Sequence, residues 1–299
     1  MKNALFIVNS KKDINFNISK DVIKFLHSKN IRIIVEDNAL ANEFNLELIS
    51  EGLIPLIDLA IILGGDGTIL TYLRKYGEYE IPVFSINMGR VGALAVTELD
   101  NYKEYFEKYL NGNYLIEKFI TLEGILHYDD NVEKNFVVYN DVIIHRGLSM
   151  KMLPMNIAVN GSEYDVIYAD GMAVATPAGS SAYNHSAGGP LLSPQCNSYV
   201  VTPICSQTKG FSSLVISKND ILHIAVDDTF DGLTLSVDGC EQFLINKHNV
   251  RIDIKESNHY FNLIKFTKDV SLYKAVYKVI ESINNIKGEK WDVQNCKEG

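Results

Sequence analysis

Residues 56–68 read Leu56-Ile57-Asp58-Leu59-Ala60-Ile61-Ile62-Leu63-Gly64-Gly65-Asp66-Gly67-Thr68. An apolar run of strand length ends on three glycines within four positions. The next apolar residues, Ile69, Leu70 and Leu73, fall at helical spacing until Gly77. A near-continuous apolar run is the pattern of a parallel strand covered on both faces. A Gly-rich turn between such a strand and a helix lies at the carboxyl end of the sheet, where open α/β folds bind ligands. The glycines allow φ > 0 and let a ligand approach the backbone closely. The helix behind them points free N–H groups and its positive dipole end at whatever binds, so the segment predicts an anion cradle. Neither the Walker A nor the GxGxxG spacing is present. Asp66 is the unusual member, because a carboxylate among phosphate donors repels phosphate unless it holds a metal or takes a proton. The plainer alternative is that Asp66 caps the helix.

Outward from this turn, strand and helix signals alternate. Leu5 to Val8 is a short apolar run, and Val22, Ile23 and Leu26 recur at helical spacing after Ser19 until Asn30. Ile31 to Val35 and Pro82 to Ile86 read as further strands. This alternation predicts a parallel sheet covered by helices. The texture changes near residue 117, and from Phe119 to about Phe266 the pattern has period two with frequent turns. Asn160-Gly161 lies between alternating residues, the strongest short-range hairpin signal. Leu233 to Val237 runs into Asp238-Gly239, and Ile221 to Val226 and Val250 to Ile254 are also strand-like. A second, mostly antiparallel β domain is therefore expected. Helical spacing returns at Leu272, Val276, Val279, Ile280 and Ile283, after a plausible cap at Asp269, and Gly288 closes it. The expected division is an α/β domain over 1–116 plus 267–299 and a β domain over 117–266.

Composition narrows the function. The chain has 299 residues, 46% hydrophobic and 22% charged, with a formal net charge of −9. That excludes a disordered chain, a collagen and a coiled-coil rod. A net negative chain has no overall attraction to nucleic acid or an anionic membrane. Any phosphate it binds must be held by backbone N–H groups, a few placed cations or a metal ion. No run approaches the ~20 apolar residues of a membrane helix, and Ala4 to Val8 is too short for a signal peptide. The cysteines, Cys196, Cys205, Cys240 and Cys296, form no CxxC pair, and the histidines form no HExxH. Thiols of a reducing cytosol are the expectation, with a cytoplasmic protein.

A second segment, Asp170 to Pro190, is almost free of bulky side chains. Such a stretch is expected to line a cleft with hydroxyls and amides rather than build a core, with Tyr183 as a stacking surface. Thr176-Pro177 and Gly188-Gly189-Pro190 punctuate it as rigid turns. No GxSxG surrounds Ser180 or Ser181, so a hydrolase elbow is absent. Between the two segments, Asn140-Asp141 offers an amide and a carboxylate that can grip vicinal ribose hydroxyls. An ordinary hairpin edge explains the same pair.

In this order the pieces resemble the NAD kinases. Gly64-Gly65-Asp66-Gly67-Thr68 recurs across a wider kinase superfamily that includes diacylglycerol kinases, sphingosine kinases and 6-phosphofructokinase. The Asp170 to Pro190 segment is similar to the more specific Asp-Gly…Thr-Pro-x-Gly-Ser-Thr-Ala-Tyr signature. Asn87-x-Gly89-x-x-Gly92, Asn140-Asp141, Thr202-Pro203-Ile204 and Ser236-Val237-Asp238-Gly239 also fit. Ala93 stands where the family usually has an aromatic, Ser181 where it has Thr, and Asp141 where Glu is commoner.

The resemblance implies phosphoryl transfer from ATP, or from polyphosphate, to the 2′-hydroxyl of the adenosine ribose of NAD, with a divalent cation such as Mg2+. It implies Asp66 as the catalytic residue and Gly64, Gly65, Gly67 and Thr68 around the donor phosphates. NAD would meet Asp66, Gly67, Asn140, Asp141, Asp170, Ser181, Ala182, Tyr183 and Ser186. The implied fold is an α/β domain carrying the phosphate loop, a β domain carrying most of the dinucleotide site, and a C-terminal helix returning to the first domain. The implied assembly is a homo-oligomer, a dimer or tetramer, in which a neighbouring subunit completes the dinucleotide site. A lipid kinase of the same superfamily would share the first segment and lack the second. A non-catalytic dinucleotide sensor would not need Asp66.

Overall fold

The computed structural model describes residues 2–89, 94–128, 132–226, 232–245 and 249–266. Gly92, Ala93, Cys296, Trp291 and the helical stripe expected after Asp269 lie outside the described residues.

The chain begins with β1 (Asn3–Val8), α1 (Asn17–Ser28), β2 (Arg32–Val35), α2 (Asn38–Phe44) and β3 (Glu47–Leu48). It continues through β4 (Leu59–Leu63), α3 (Asp66–Tyr76), β5 (Val83–Asn87), β6 (Thr97–Glu98) and α4 (Tyr102–Leu110). Strands β3, β2, β1, β4 and β5 pair in that order, all in parallel. Every residue of β4 and β5 is buried, as the apolar runs predict. Helices α1, α2 and α4 pack on one face against Phe6, Ile33, Ile61 and Phe84. Helix α3 takes the other face, against Leu5, Ile7, Ala60 and Ile62. The carboxylate of Asp13, only 2% exposed, takes the first N–H groups of α1 from Ile18 and Ser19.

The rest is β-rich. β7 (Leu115–Tyr128), β8 (Val132–Val138), β9 (Asp141–His145), β10 (Leu153–Val159), β11 (Ser162–Glu163), β12 (Ile167–Ala169) and β13 (Gly171–Ala175) come first. After the short helix α5 (Tyr183–Ser186) follow β14 (Ser198–Ile204), β15 (Leu214–Ser217), β16 (Leu222–Val226), β17 (Leu233–Val237), β18 (Glu241–Ile245) and β19 (Arg251–Lys265). Asn160 and Gly161 adopt φ of 50° and 79° and close β10 onto β11, as the Asn-Gly signal predicts.

Strand β19 ties the two regions together. Its first half pairs with β16, and it runs antiparallel to β7 from Arg251↔His127 to Lys265↔Leu115, with a register shift between Glu256 and Tyr260. Near its end Leu263 pairs in parallel with Val83 of β5. A mixed sheet therefore runs from the parallel strands into the β region. A second, wholly antiparallel sheet, in the order β15-β14-β13-β9-β17-β18, packs over it around one apolar cluster that includes Ile144, Leu153, Met155, Val174, Leu235 and Ile254.

One expectation is corrected. Gly171–Ala175 does build core, because β13 is a central strand buried at every position, with Met172 and Val174 in the apolar cluster. Small residues there let adjacent strands and the neighbouring loop approach closely. Among the described residues no helix is long and apolar enough to cross a membrane.

Candidate active site

The first Gly-rich turn follows β4 directly. Gly64 donates its N–H to Ile86 O at 2.9 Å, so this amide is spent within the sheet and is not a phosphate donor. Any part Gly64 plays at a donor phosphate is therefore one of close approach rather than of its N–H. Its lack of a side chain matters for another reason, since a Cβ there would collide with the Thr68 side chain. None of Gly64, Gly65 and Gly67 has positive φ, so backbone conformation does not explain the glycines, and only at Gly64 does a neighbouring side chain exclude a Cβ. Gly65 is the N-cap of α3, and Asp66 is the helix's first residue. The Thr68 hydroxyl accepts from Asn9 Nδ2 at 3.2 Å, which leaves its proton free to donate. Asp66 Oδ1 accepts the N–H of Leu94 at 3.1 Å, a contact that reaches across to a distant segment.

In front of this turn lies a cavity of about 600 Å³, lined by Asn9, Lys12, Gly65, Asp66, Gly67, Thr68, Met88 and Gly89. That volume is within the usual range for a small-molecule site. Asn9 and Lys12 are site residues that no motif announces, since they sit in a loop after β1 without Gly-rich punctuation. Among the described residues there is no cluster of three His, Cys, Asp or Glu able to hold a metal. One carboxylate beside a phosphate cradle nevertheless suits Mg2+, which takes one or two protein carboxylates and completes its shell with substrate phosphates and water.

The second corner forms where β9 begins. Asp238, in the turn after β17, accepts N–H groups from Tyr139, Asn140 and Asp141, at 3.1, 2.6 and 3.2 Å to Oδ1. This clasp holds the Asn140-Asp141 pair in place. From the sequence Asp238-Gly239 reads as a turn and as part of a motif that fits the family, without a role for its carboxylate, and a carboxylate in a tight turn is well placed to bind neighbouring amides. Asp141 Oδ2 accepts the Tyr183 N–H at 3.2 Å, which joins the corner to the second Gly-rich segment. Asp141 is 5% exposed, and burial, with the like charge of Asp238, raises its pKa from 3.8 to about 7. Burial also pushes Asp238 up, to about 6, against its backbone donors and Arg74. With several N–H groups on Asp238 and one on Asp141, Asp141 is the more readily protonated of the two.

Within the second segment the polar side chains divide. Ser180 and Asn184 are fully buried and serve the loop itself. Ser180 Oγ bonds Pro177 O and Leu192 N, while Asn184 bridges Ser180 O, Pro190 O and the Thr202 hydroxyl. Ser181 and Ala182 are partly exposed, Ser186 is exposed, and Tyr183 presents its ring to solvent at 45% exposure. Asp170 stands apart. β13 runs from Gly171, opposite His145, to Ala175, opposite Asp141, so Asp170 lies at the far end of the strand, about 16 Å along it at ~3.3 Å per residue. There Asp170 Oδ1 pairs with Arg146 Nε at 2.7 Å.

Helix α3 brings the two corners together. Ile69, Leu70 and Leu73 share one apolar cluster with Leu94, Tyr139 and Ala178. Tyr139 immediately precedes Asn140, and Ala178 immediately precedes the Gly179–Ser181 turn. At the other end of α3, Arg74 pairs with Glu241 at 2.6 Å, just past Asp238.

Comparison with known proteins agrees with this layout. Residues 4–114 match the family described as ATP-NAD kinase N-terminal domain, and residues 139–266 match the ATP-NAD kinase C-terminal domain. The NAD kinase of Thermoanaerobacter sp. (strain X514) is 33% identical over 269 residues, covering 89% of this chain and 94% of that protein. The NAD kinase of Clostridium botulinum (strain Kyoto / Type A2) is 32% identical over 280 residues, covering 92% and 95%. In fold, yeast NADH kinase complexed with NADH superimposes with a TM-score of 0.83 at 24% identity, over 98% of this chain and 89% of that one. An NAD kinase from Archaeoglobus fulgidus in complex with ATP gives 0.70 at 22% identity, over 92% and 99%. With both halves matched in sequence and relatives aligned over nearly their whole length, the chain belongs to the NAD kinase family.

Proposed function

We propose that the chain transfers the terminal phosphoryl group of ATP to the 2′-hydroxyl of the adenosine ribose of NAD, giving NADP and ADP. The observation that carries this reading is α3. One helix holds Asp66 at its N-terminus and packs, along its length, against the residues that precede Asn140-Asp141 and Ser181–Tyr183.

Phosphoryl transfer asks mostly for positioning and charge stabilisation. The N–H groups of Gly65, Asp66 and Gly67 and the Thr68 hydroxyl are the donors for the phosphates of ATP, or of polyphosphate. Asp66 takes the proton of the 2′-hydroxyl as its oxygen bonds to phosphorus and the bond to the leaving phosphate breaks. A divalent cation, when bound beside Asp66, supplies positive charge to the transferring group. Asn140 and Asp141 grip the ribose, and a protonated Asp141 can donate as well as accept there. Tyr183 stacks on a flat ring, with Ser181, Ala182 and Ser186 beside it. Asp170 reaches the dinucleotide from a neighbouring subunit, which makes a homo-oligomer the working form and explains its distance from Asp141 in one chain. The cytoplasm, where free thiols persist, is the compartment we assign.

A coupled assay pairing NAD or NADH with ATP or polyphosphate tests the reading. Formation of NADP with ATP is expected. Phosphorylation of diacylglycerol but not NAD would transfer the chain to the lipid kinases, and binding of NAD without turnover would make it a sensor.

A further inference from the structure

Lys12 belongs to neither Gly-rich segment, yet it lines the same cavity as Gly65, Asp66, Gly67 and Thr68. The backbone that carries it is fixed from several sides. Asn9 N donates to Leu63 O at 3.0 Å, at the end of β4, and Lys12 N donates to Asn9 O at 2.9 Å. The Asn9 amide holds the Thr68 hydroxyl at 3.2 Å, and the buried Asp13 carboxylate anchors the next residue to the start of α1. The side chain of Lys12 is left exposed at the cavity wall.

Its ammonium is close to Gly89, since a Cβ on that glycine would come within 2.9 Å of Nζ. Lys12 makes no ion pair among the described residues, whereas Lys75, Lys108, Lys218 and Lys255 each hold a Glu. In a chain of net charge −9, a cation without an ion pair among the described residues, set beside the Gly-rich N-terminus of α3, is chemically suited to an oligophosphate. A lysine acts there as a compact point charge on a phosphate rather than as a bidentate fork.

We propose that Lys12 is a donor-binding residue that clamps the terminal phosphates of the phosphoryl donor, and that Gly89 is side-chain-free so that the ammonium can lie over them. This deepens the proposed function and rests on it for the identity of the donor, while the oligophosphate chemistry stands on the cavity alone.

The test uses the full chain with Lys12→Met, Lys12→Arg and Gly89→Ala. Titration calorimetry with inorganic tripolyphosphate, without NAD, reads the clamp directly. Lys12→Met and Gly89→Ala should each weaken binding about tenfold, the usual scale for one charge-assisted contact, and Lys12→Arg should recover most of it. The double variant Lys12→Met/Gly89→Ala should lose little more than either single, because both remove one ammonium. In the coupled assay Lys12→Met should raise KM for ATP about tenfold and leave KM for NAD within about twofold. Unchanged tripolyphosphate binding in Lys12→Met overturns the clamp, and so does a wild-type chain that does not bind tripolyphosphate. A wild-type chain that makes no NADP, but loses tripolyphosphate when Lys12 is changed, overturns the proposed function and supports the clamp.

Discussion

At the scale of single residues, two carboxylates of the candidate site have opposite settings. Asp66 is partly exposed at the cavity in front of the Gly-rich turn, one of its oxygens held by the Leu94 N–H. Replacing Asp66 by Asn keeps the shape and removes the proposed base. NAD binding should stay within about tenfold of wild type while kcat falls by at least ~10², the lower end for loss of general-base catalysis. Steady-state kinetics beside a direct NAD titration checks both, and normal turnover in the variant would take Asp66 out of the mechanism. Asp141 is buried, with its pKa raised to about 7 from 3.8. The unfolded chain releases this proton near pH 4, so the folded state holds a proton the unfolded state has lost. Stability therefore falls as pH rises from about 4 to 7, and the full penalty remains above pH 7. Asp141→Asn removes the penalty. Its melting temperature relative to wild type should be more favourable at pH 8 than at pH 5, read by circular dichroism. An equal difference at both pH values would mean that Asp141 ionises normally in the fold.

At the scale of elements, the site depends on loops pressed together more closely than side chains allow. Gly179 opens the turn before Tyr183, and a Cβ there would collide with the backbone carbonyl of Asn140. Gly179→Ala must move either the turn or the Asn140-Asp141 corner, since backbone cannot rotate away as a side chain can. We expect a cost of about 1–3 kcal/mol in denaturant unfolding and a raised KM for NAD with little change for ATP. A variant as stable as wild type, with unchanged KM, would show that the corner has slack. The same closeness explains what the sequence reveals and what it hides. β4, its Gly-rich turn and α3 are legible because a covered parallel strand must be apolar throughout and the turn needs glycine. The hairpin at Asn160-Gly161 is legible because both residues need positive φ. β13 is not, because its small residues mimic a loop while they let strands pack. α4 hides its apolar stripe in Tyr102, Phe106 and Tyr109, aromatic positions set among Lys and Glu. β19 reads as a short strand over Val250 to Ile254, because the irregular stretch between Glu256 and Tyr260 interrupts its alternation. The place of Lys12 at the cavity and the clasp made by the Asp238 carboxylate are not legible for another reason, since both come from what the fold sets beside them.

For the molecule as a whole, the question is whether the α/β and β regions unfold apart or together. The mixed sheet passes through both, with β19 pairing with β16 and β7 at one end and with β5 at the other. At the junction Phe119 of β7 and Phe261 of β19 stack with ring centroids 5.4 Å apart and planes at 22°. Both rings are buried in the cluster that also holds Leu5, Ile62, Leu73 and Tyr139, so one patch of core serves the parallel sheet, α3 and the Asn140-Asp141 corner. Separating the regions would tear a sheet and open that core, so the described fold should melt in a single transition with calorimetric and van't Hoff enthalpies in agreement. Phe261→Ala should lower that transition by about 5 °C or more, since truncating a buried Phe costs roughly 3–5 kcal/mol. Scanning calorimetry distinguishes the alternatives. If the regions are separately stable, the wild type shows two transitions, or the variant splits one into two, with the upper one unmoved. If the shared strand governs, the variant moves one peak intact, and the ligand effects reinforce it. On the proposed placements, ATP at the turn after β4 and NAD at the corner before β9 should then raise the same melting temperature, because each would bind one end of a single cooperative unit.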